Sequence, residues 1–364
     1  MRVLFLCFLL SFCFDFAWPQ SQEKRKSTYV VGLNGQYGFI LPHSSELKEI
    51  SKSHPWGLSM DISRLFDSDK SWSNCNCYSK IGFSFNYYNY ANPDQLGNSY
   101  NLILFAEPYL GFRKRVHSTL RAGMGITYLD QVYDEITNPE NLFYSSPISF
   151  ILTVQLKLNY RIDPVYNIYL SGNYNHISNA AVSQPNKGMN FPTLGIGLEY
   201  TINPVALEKK QLASYLDKRQ LLKYARIFWN IRTVPETIEY PEKYDIMIGL
   251  EAGIMKRLSR INGLLTGVEY SYDGLFNEEI KRNNLDYTPH LVSLHLGHFF
   301  IFGKFTFTQQ FAWYAYKSYP FNNHDFFQRY GIFWQFGKLI NCGFSLKSHG
   351  HVAEYMDVRM GILF

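Results

Sequence analysis

Beyond its N-terminus the 364-residue chain has no hydrophobic run approaching the ~20 residues that carry a helix across a bilayer, which argues against a helical membrane protein. Cysteine is scarce: of five, Cys7 and Cys13 lie in the N-terminal apolar run, leaving Cys75, Cys77 and Cys342. An odd remainder gives no disulfide framework, and Cys75-Asn76-Cys77 reads as too closely spaced for a relaxed bridge. Charge of one sign is also lacking; the net +5 is mild and no basic run accompanies it, so nucleic acid is not an expected partner. No glycine-rich phosphate loop follows a strand. The histidines His349/His351, His290/His295/His298 and His43/His54 fall at irregular spacings without recurring carboxylates or thiols, so neither a metal nor another cofactor is expected.

The first residues, MRVLFLCFLLSFCFDFAWPQSQ, have the layout of a secretory signal peptide over residues 1–20. Arg2 precedes an apolar run from Val3 to Phe14, too short to span, and cleavage is expected between Ala17 and Ser21.

Aromatics are plentiful: 28 Tyr and 29 Phe, with aromatic residues making up 17% of the chain. Mean hydropathy is only −0.19, yet membrane barrels escape hydropathy windows because outward apolar and inward polar residues alternate. That alternation is present. In ILTVQLKLNYR, Leu152, Val154, Leu156, Leu158 and Tyr160 share one face, and Thr153, Gln155, Lys157, Asn159 and Arg161 the other. RYGIFWQF, LINCGFSLK and the closing run from Tyr355 to Phe364 repeat it, while YTPHLVSLHL is less clean. A secreted β-sandwich and a membrane barrel both fit such faces. Runs of about 9 to 13 residues match strands that cross a bilayer at a tilt, whereas sandwich strands cluster near 5 to 6, which selects the barrel.

The expected fold is therefore all-β, a transmembrane antiparallel up-and-down β-barrel. Eight strands are read in 28–203, at 28–40, 55–66, 78–90, 100–112, 116–129, 149–161, 166–178 and 193–203. Eight more are read in 221–364, at 221–233, 243–258, 261–273, 290–302, 304–316, 327–337, 339–348 and 352–364. The charged segment 204–220 between them looks helical and is expected to be a periplasmic linker or surface helix. Long connections alternate with short turns, which orients the barrel with its long loops outside; only 67–77 is awkward as a periplasmic turn. Asp273-Gly274 is a turn signal. One barrel of about sixteen strands is the preferred arrangement, with an eight-stranded barrel plus a second eight-stranded unit as the alternative.

One stretch, NYNHISNAAVSQPNKGMNF from Asn173 to Phe191, stands apart. Ile168, Leu170, Gly172, Tyr174, His176 and Ser178 share a face, which places a histidine and a serine on the lipid-facing row at the outer end of a strand. Exposing two polar side chains to acyl chains costs free energy without structural return. Residues i and i+2 of a strand lie about 6.6 to 6.8 Å apart on one face, within reach of an imidazole leaning along it. A nucleophile beside a base, at the depth of lipid ester bonds, is a lipid hydrolase geometry.

HISNAAVSQPNKG resembles the His-x-Ser-Asn-Ala motif and following Gln-Pro-Asn-x-Gly of the PagL-type lipid A deacylases, outer-membrane barrels that remove an ester-linked acyl chain. That resemblance covers roughly residues 28 to 203. The whole chain, including PHSSELKEISKSHP, NPDQLGNSY and LKSHGHVAEYMDVRMGILF, resembles the longer acyloxyacyl hydrolases. The resemblance implies Ser178 as nucleophile and His176 as general base. It implies Asn179, Ala180, Asn186 and Gly188 as oxyanion-stabilising or substrate-binding positions. Where the family has a Glu twelve residues after the serine, this chain has Asn190, whose carbonyl can still accept from the imidazole. Asp134, Glu135 and Glu140, in an outer loop, are acids that could stand in.

The implied activity is ester hydrolysis of lipid A, or lipopolysaccharide, in the outer membrane of a Gram-negative bacterium, with the site facing the outer leaflet. The rival is a non-enzymatic barrel: a pore lined by residues such as Lys157, Arg161 and Glu199, or a lipopolysaccharide-binding protein with a decayed site. Whether the chain forms a homodimer is left open by the sequence.

Overall fold

The computed structural model describes residues 27–364 apart from 76, 113, 180–182, 209, 211–220, 235, 260, 321–323 and 351. The expected signal peptide lies outside the described residues. Sixteen antiparallel strands are present, and they close as two barrels of eight, the second of the two arrangements that the sequence allowed.

The first barrel comprises β1 (Thr28–Gly38), β2 (Trp56–Phe66), β3 (Ser79–Asn89), β4 (Asn98–Leu110), β5 (Val116–Leu129), β6 (Ile148–Arg161), β7 (Tyr166–Ser178) and β8 (Met189–Ile202). The second comprises β9 (Leu221–Val234), β10 (Lys243–Arg257), β11 (Asn262–Asp273), β12 (His290–Phe302), β13 (Phe305–Lys317), β14 (Phe326–Phe336), β15 (Ile340–His349) and β16 (Val352–Leu363). β1 and β8 pair without interruption from Tyr29↔Ile202 to Gly38↔Thr193. The sheet thus closes on itself and offers β9 no edge to join. β16 closes on β9 in the same way, from Val358↔Trp229 to Leu363↔Tyr224. Alternation explains why closure is stable. Along β6 the leucines and Val154 point outward and are exposed, while Gln155, Lys157 and Asn159 are buried in the barrel.

Eight strands leave an interior just wide enough for side chains to fill, and here the filling is ionic. In the first barrel Glu107 meets Lys80 at 3.0 Å, Arg121 at 2.8 Å and Lys157 at 3.2 Å; Glu199 meets Lys80 at 2.7 Å and Lys157 at 2.9 Å; Arg121 also reaches Asp61 at 2.7 Å. The internal void beside Asp61, Arg121, Gln36 and Asn173 is about 20 Å³, room for roughly one water. In the second barrel Arg359 binds Glu251, Glu269 and Asp357 at 2.7, 2.8 and 2.8 Å, and Arg329 binds Glu269 and Asp357 at 2.7 and 2.6 Å. Such charges tolerate burial only because each is paired. Lys157 and Glu199, expected as lumen-lining groups of a pore, are buried in this network.

The segment 67–77 is not a turn. It forms a helix, α1 (Asp69–Cys75), whose Trp72 packs on Leu65, Tyr78 and Phe112, with Tyr109, Val205 and Leu207 against the cluster. This apolar plug covers the short-turn end of the first barrel. Cys75 and Cys77, read as too close to bridge, form a disulfide with their Cα atoms 5.1 Å apart, inside the span that a bridge accepts. Asp273-Gly274 likewise opens a helix, α2 (Gly274–Arg282), rather than a turn: Asp273 caps it by accepting from the Leu275 N–H at 3.0 Å. Phe276 and Ile280, four apart on one face of α2, pack on Leu291 at the long-loop end of the second barrel. The helix expected across 204–220 falls mainly on 211–220, outside the described residues; 204–208 are irregular and Leu221 already begins β9.

The long-loop end of the first barrel is capped by its own connections. Ile40, Leu47, Ile50, Leu96, Phe143 and Tyr144 from the loops bury against Tyr88, Ile103, Ile177 and Phe191 from the strands. Just outside this cap runs a belt of exposed and half-buried aromatics on neighbouring strands. Trp56 and Tyr87 have ring centroids 5.7 Å apart, Tyr87 and Tyr100 5.4 Å, and Tyr100 and Tyr128 6.4 Å. Such girdles sit at the level of lipid headgroups.

Candidate active site

β7 presents Ile168, Leu170, Gly172 and Tyr174 as an exposed outward row. His176 and Ser178 continue that row, but they are only half exposed because loops fold over them. Across the sheet His176 stands opposite Leu152 of β6 and Asn190 of β8. Its Nδ1 lies 2.7 Å from the Asn190 Oδ1. An amide oxygen only accepts, so this contact fixes the proton on Nδ1 and leaves Nε2 with its lone pair.

Asn186 is placed beside the serine. The Asn179 backbone N–H donates to the Asn186 Oδ1 at 3.1 Å, which turns the amide so that its Nδ2 donates to the Ser178 Oγ at 3.0 Å; the same hydroxyl lies 3.3 Å from Oδ1. The buried Asn179 side chain donates to the Ser183 carbonyl at 2.8 Å and to the Ser145 Oγ at 3.4 Å, tying the 179–188 connection to the 130–147 connection. Gly188 closes the cradle. It sits at φ +71°, and a Cβ there would meet the His176 Cε1 at 2.8 Å, so the imidazole rests directly on this glycine. The 186–188 segment is itself braced, because the Lys187 and Gly188 N–H groups donate to the Leu142 and Phe143 carbonyls at 3.1 and 2.8 Å. Ala180 lies outside the described residues.

Of the three acids named as stand-ins, two are occupied elsewhere. Asp134 accepts from the N–H groups of Ile136 and Thr137 at 3.0 and 2.8 Å, which closes its own turn and holds its carboxyl below the usual range. Glu140 accepts from Gln95, and Glu135 is exposed. Among the described residues no carboxylate is hydrogen-bonded to His176, so its orienting partner is the neutral Asn190.

Two features escaped the sequence. β8 was expected to start at 193; it starts at Met189, and that early start puts Asn190 in register with His176. The apolar-polar-apolar alternation of Met189, Asn190 and Phe191 carried the signal. The second is the 39–55 connection: the Leu41 N–H donates to the Asn190 carbonyl at 2.8 Å, and the His43 Nε2 lies 2.8 Å from the Lys187 carbonyl. The histidine groups considered for metal are scattered. His295 is buried against the Tyr224 Oη at 2.7 Å, while His290 contacts the Tyr270 Oη at 2.9 Å. Among the described residues no group of three or more His, Cys, Asp or Glu could hold a metal ion.

A family model described as lipid A 3-O-deacylase (PagL) matches residues 54–199, and one described as acyloxyacyl hydrolase, C-terminal domain, matches residues 225–364. No curated protein sequence matches the chain significantly. Among solved structures, Neisserial surface protein A is similar at 10% identity, covering 48% of this chain and 99% of its own, with a TM-score of 0.33. The outer membrane enzyme PagL is similar at 16% identity, covering 46% and 97%, with a TM-score of 0.32. A Rh. blastica porin variant is similar at 8% identity, covering 93% and 99%, with a TM-score of 0.18. The two family models fall one on each barrel and together span most of the chain, and the protein belongs to the outer-membrane lipid A deacylase and acyloxyacyl hydrolase family.

Proposed function

We propose that the first barrel is an esterase that removes an ester-linked acyl chain from lipid A, working from the outer leaflet. The observation that carries this reading is the His176–Asn190 contact of 2.7 Å on the outward face, one residue pair from the strand end that bears Ser178. Nothing in barrel stability calls for an imidazole, a hydroxyl and an amide at the end of an outward row with a second amide folded onto them from the loop; acyl transfer calls for each of them.

Ser178 Oγ attacks the ester carbonyl carbon and its proton passes to the His176 Nε2. Asn190 Oδ1 holds Nδ1–H throughout, which keeps the ring in the tautomer with a basic Nε2. The carbonyl oxygen gains the electron pair as the C–Oγ bond forms, and the Asn186 Nδ2–H, already aimed at Oγ, donates to the developing oxyanion. Collapse of the intermediate breaks the bond to the sugar oxygen, which leaves with the proton from Nε2. Water, deprotonated by the same nitrogen, then releases the fatty acid and regenerates Ser178.

The neutral partner has a consequence: an imidazolium next to Asn190 lacks a carboxylate to stabilise it, so the reaction is expected to be slower than one with an acid in that place. This feature also favours the second reading, a lipopolysaccharide-binding barrel without turnover. Mass spectrometry of lipid A from cells producing the protein, beside cells producing Ser178→Ala at equal membrane levels, separates the two. Loss of one acyl chain in the first sample alone supports the esterase; identical lipid A in both, on lipid that carries the ester, sinks it.

A further inference from the structure

Next to the hydrolytic residues the first barrel has a groove that ester cleavage does not use. The 39–55 connection, between β1 and β2, folds back over the loop end of β7 and β8. Leu41 bonds to the Asn190 backbone, His43 to the Lys187 carbonyl, and Glu46 pairs with Lys187. On the outer side of this strap Pro42, His43, Ser44 and Lys48 line an open groove of about 490 Å³.

The charges on this rim are unequally matched. Lys52 is held by Glu49 at 2.5 Å and Lys187 by Glu46. Lys48 is exposed and makes no ion pair with a carboxylate among the described residues. Ser44 Oγ is shielded from solvent and has no hydrogen-bond partner among them either. The Lys48 cation therefore stands in this concavity without a carboxylate partner. The aromatic belt through Trp56, Tyr87 and Tyr100 puts this rim at headgroup level. There the abundant anions are phosphate esters, which take charge-assisted hydrogen bonds from an ammonium.

We propose that the Pro42–Lys48 groove is a subsite for the phosphate of a phosphorylated glycolipid headgroup, with the Lys48 ammonium as its donor. Bound there, the phosphate anchors the sugar while its ester lies against Ser178. The proposal rests on the deacylase reading for the purpose of the groove, but binding itself needs no catalysis.

The test uses the full chain in detergent, inactivated by Ser178→Ala. Binding of micellar lipid A is compared with binding of the same lipid A stripped of phosphate. The phosphorylated form is expected to bind about tenfold more tightly, on the order of one charge-assisted contact. Lys48→Glu in the same background should bring that ratio close to one, and Lys48→Arg should keep it. Equal affinity for the two lipids, or a ratio untouched by Lys48→Glu, overturns the subsite. Inorganic phosphate that displaces lipid A at matched concentration overturns the headgroup assignment in favour of a free-anion site. If the wild-type chain hydrolyses nothing while the ratio and its Lys48 dependence hold, the esterase reading falls and the subsite stands.

Discussion

His176 and Asn190 are cross-strand neighbours in the β7–β8 ladder, and their side chains meet at 2.7 Å on the face turned away from the barrel interior. A partner fixed by strand register holds the ring with little freedom to lose. It contributes orientation without charge. Asn190→Glu should therefore raise kcat by about ten- to a hundredfold, less than the roughly 10⁴ that Asp-to-Asn costs in a serine protease triad, because that loss comes through the wrong tautomer, which Asn190 avoids; Asn190→Ala should lower it. Steady-state hydrolysis of a lipid ester checks this; a Glu variant slower than the parent would show that the site is built around the amide.

Asn186 is expected to act in the transition state. Its amide is oriented by the Asn179 N–H and already donates to the Ser178 Oγ. Asn186→Ala should lower kcat by about 10² to 10³ with KM little changed. A rise in KM at unchanged kcat would instead assign Asn186 to ground-state binding.

Gly188 tests the cradle by space alone. Its φ of +71° and the 2.8 Å approach of a hypothetical Cβ to His176 leave no room for alanine unless the ring moves. Gly188→Ala should lower kcat by roughly 10² through displacement of the imidazole by about an ångström, and lower stability by about 1 kcal/mol through backbone strain. Retained activity with a normal unfolding midpoint would mean that the loop, not the ring, gives way.

Much of this was legible because barrels are written in a period of two. The outward row of β7, with His176 and Ser178 at its end, could be read from alternation alone, and the strand bounds at Tyr166–Ser178 and Val116–Leu129 coincide with those expected. What alternation lacks is closure. Both arrangements of sixteen strands have the same faces, and only the Tyr29↔Ile202 pairing decides that β1 closes on β8. The partners of His176 were harder still. Asn190 was found through a motif, whereas its hold on the ring depends on β8 beginning before Pro192. The strap through Leu41 and His43 depends on loop contacts across more than a hundred residues of sequence, such as His43 to Lys187. The helix α1 was missed because 67–77 was read as a turn between strands, and α2 because Asp273-Gly274 was read as turn chemistry, although the i, i+4 pairs Phe276/Ile280 and Glu278/Arg282 have helical spacing.

The first barrel's interior should be sensitive to the loss of one charge. Glu107 is fully buried and takes ion pairs from Lys80, Arg121 and Lys157. Glu107→Gln leaves these three cations facing only Asp61 and Glu199, at a cost of about 3–5 kcal/mol. Glu49→Gln, which removes an exposed pair with Lys52, should change stability by less than about 1 kcal/mol. Urea midpoints in detergent would show the contrast; equal shifts would mean that water reaches the network.

The same network bears on the rival pore. Lys157 and Glu199 are 2.9 Å apart inside the first barrel, and the adjoining void is about 20 Å³. Arg359 holds Glu251, Glu269 and Asp357 inside the second. An ion would have to break several buried pairs at once to cross either interior, which costs several kcal/mol per pair broken. Planar bilayers containing the purified protein should therefore show no stable conductance steps. Glu251→Ala and Glu107→Ala should not open a channel either, because the freed arginines and lysines still fill a lumen of eight strands. Reproducible conductance steps from the wild-type chain would mean that the ionic filling parts in the membrane, and would return the pore to consideration.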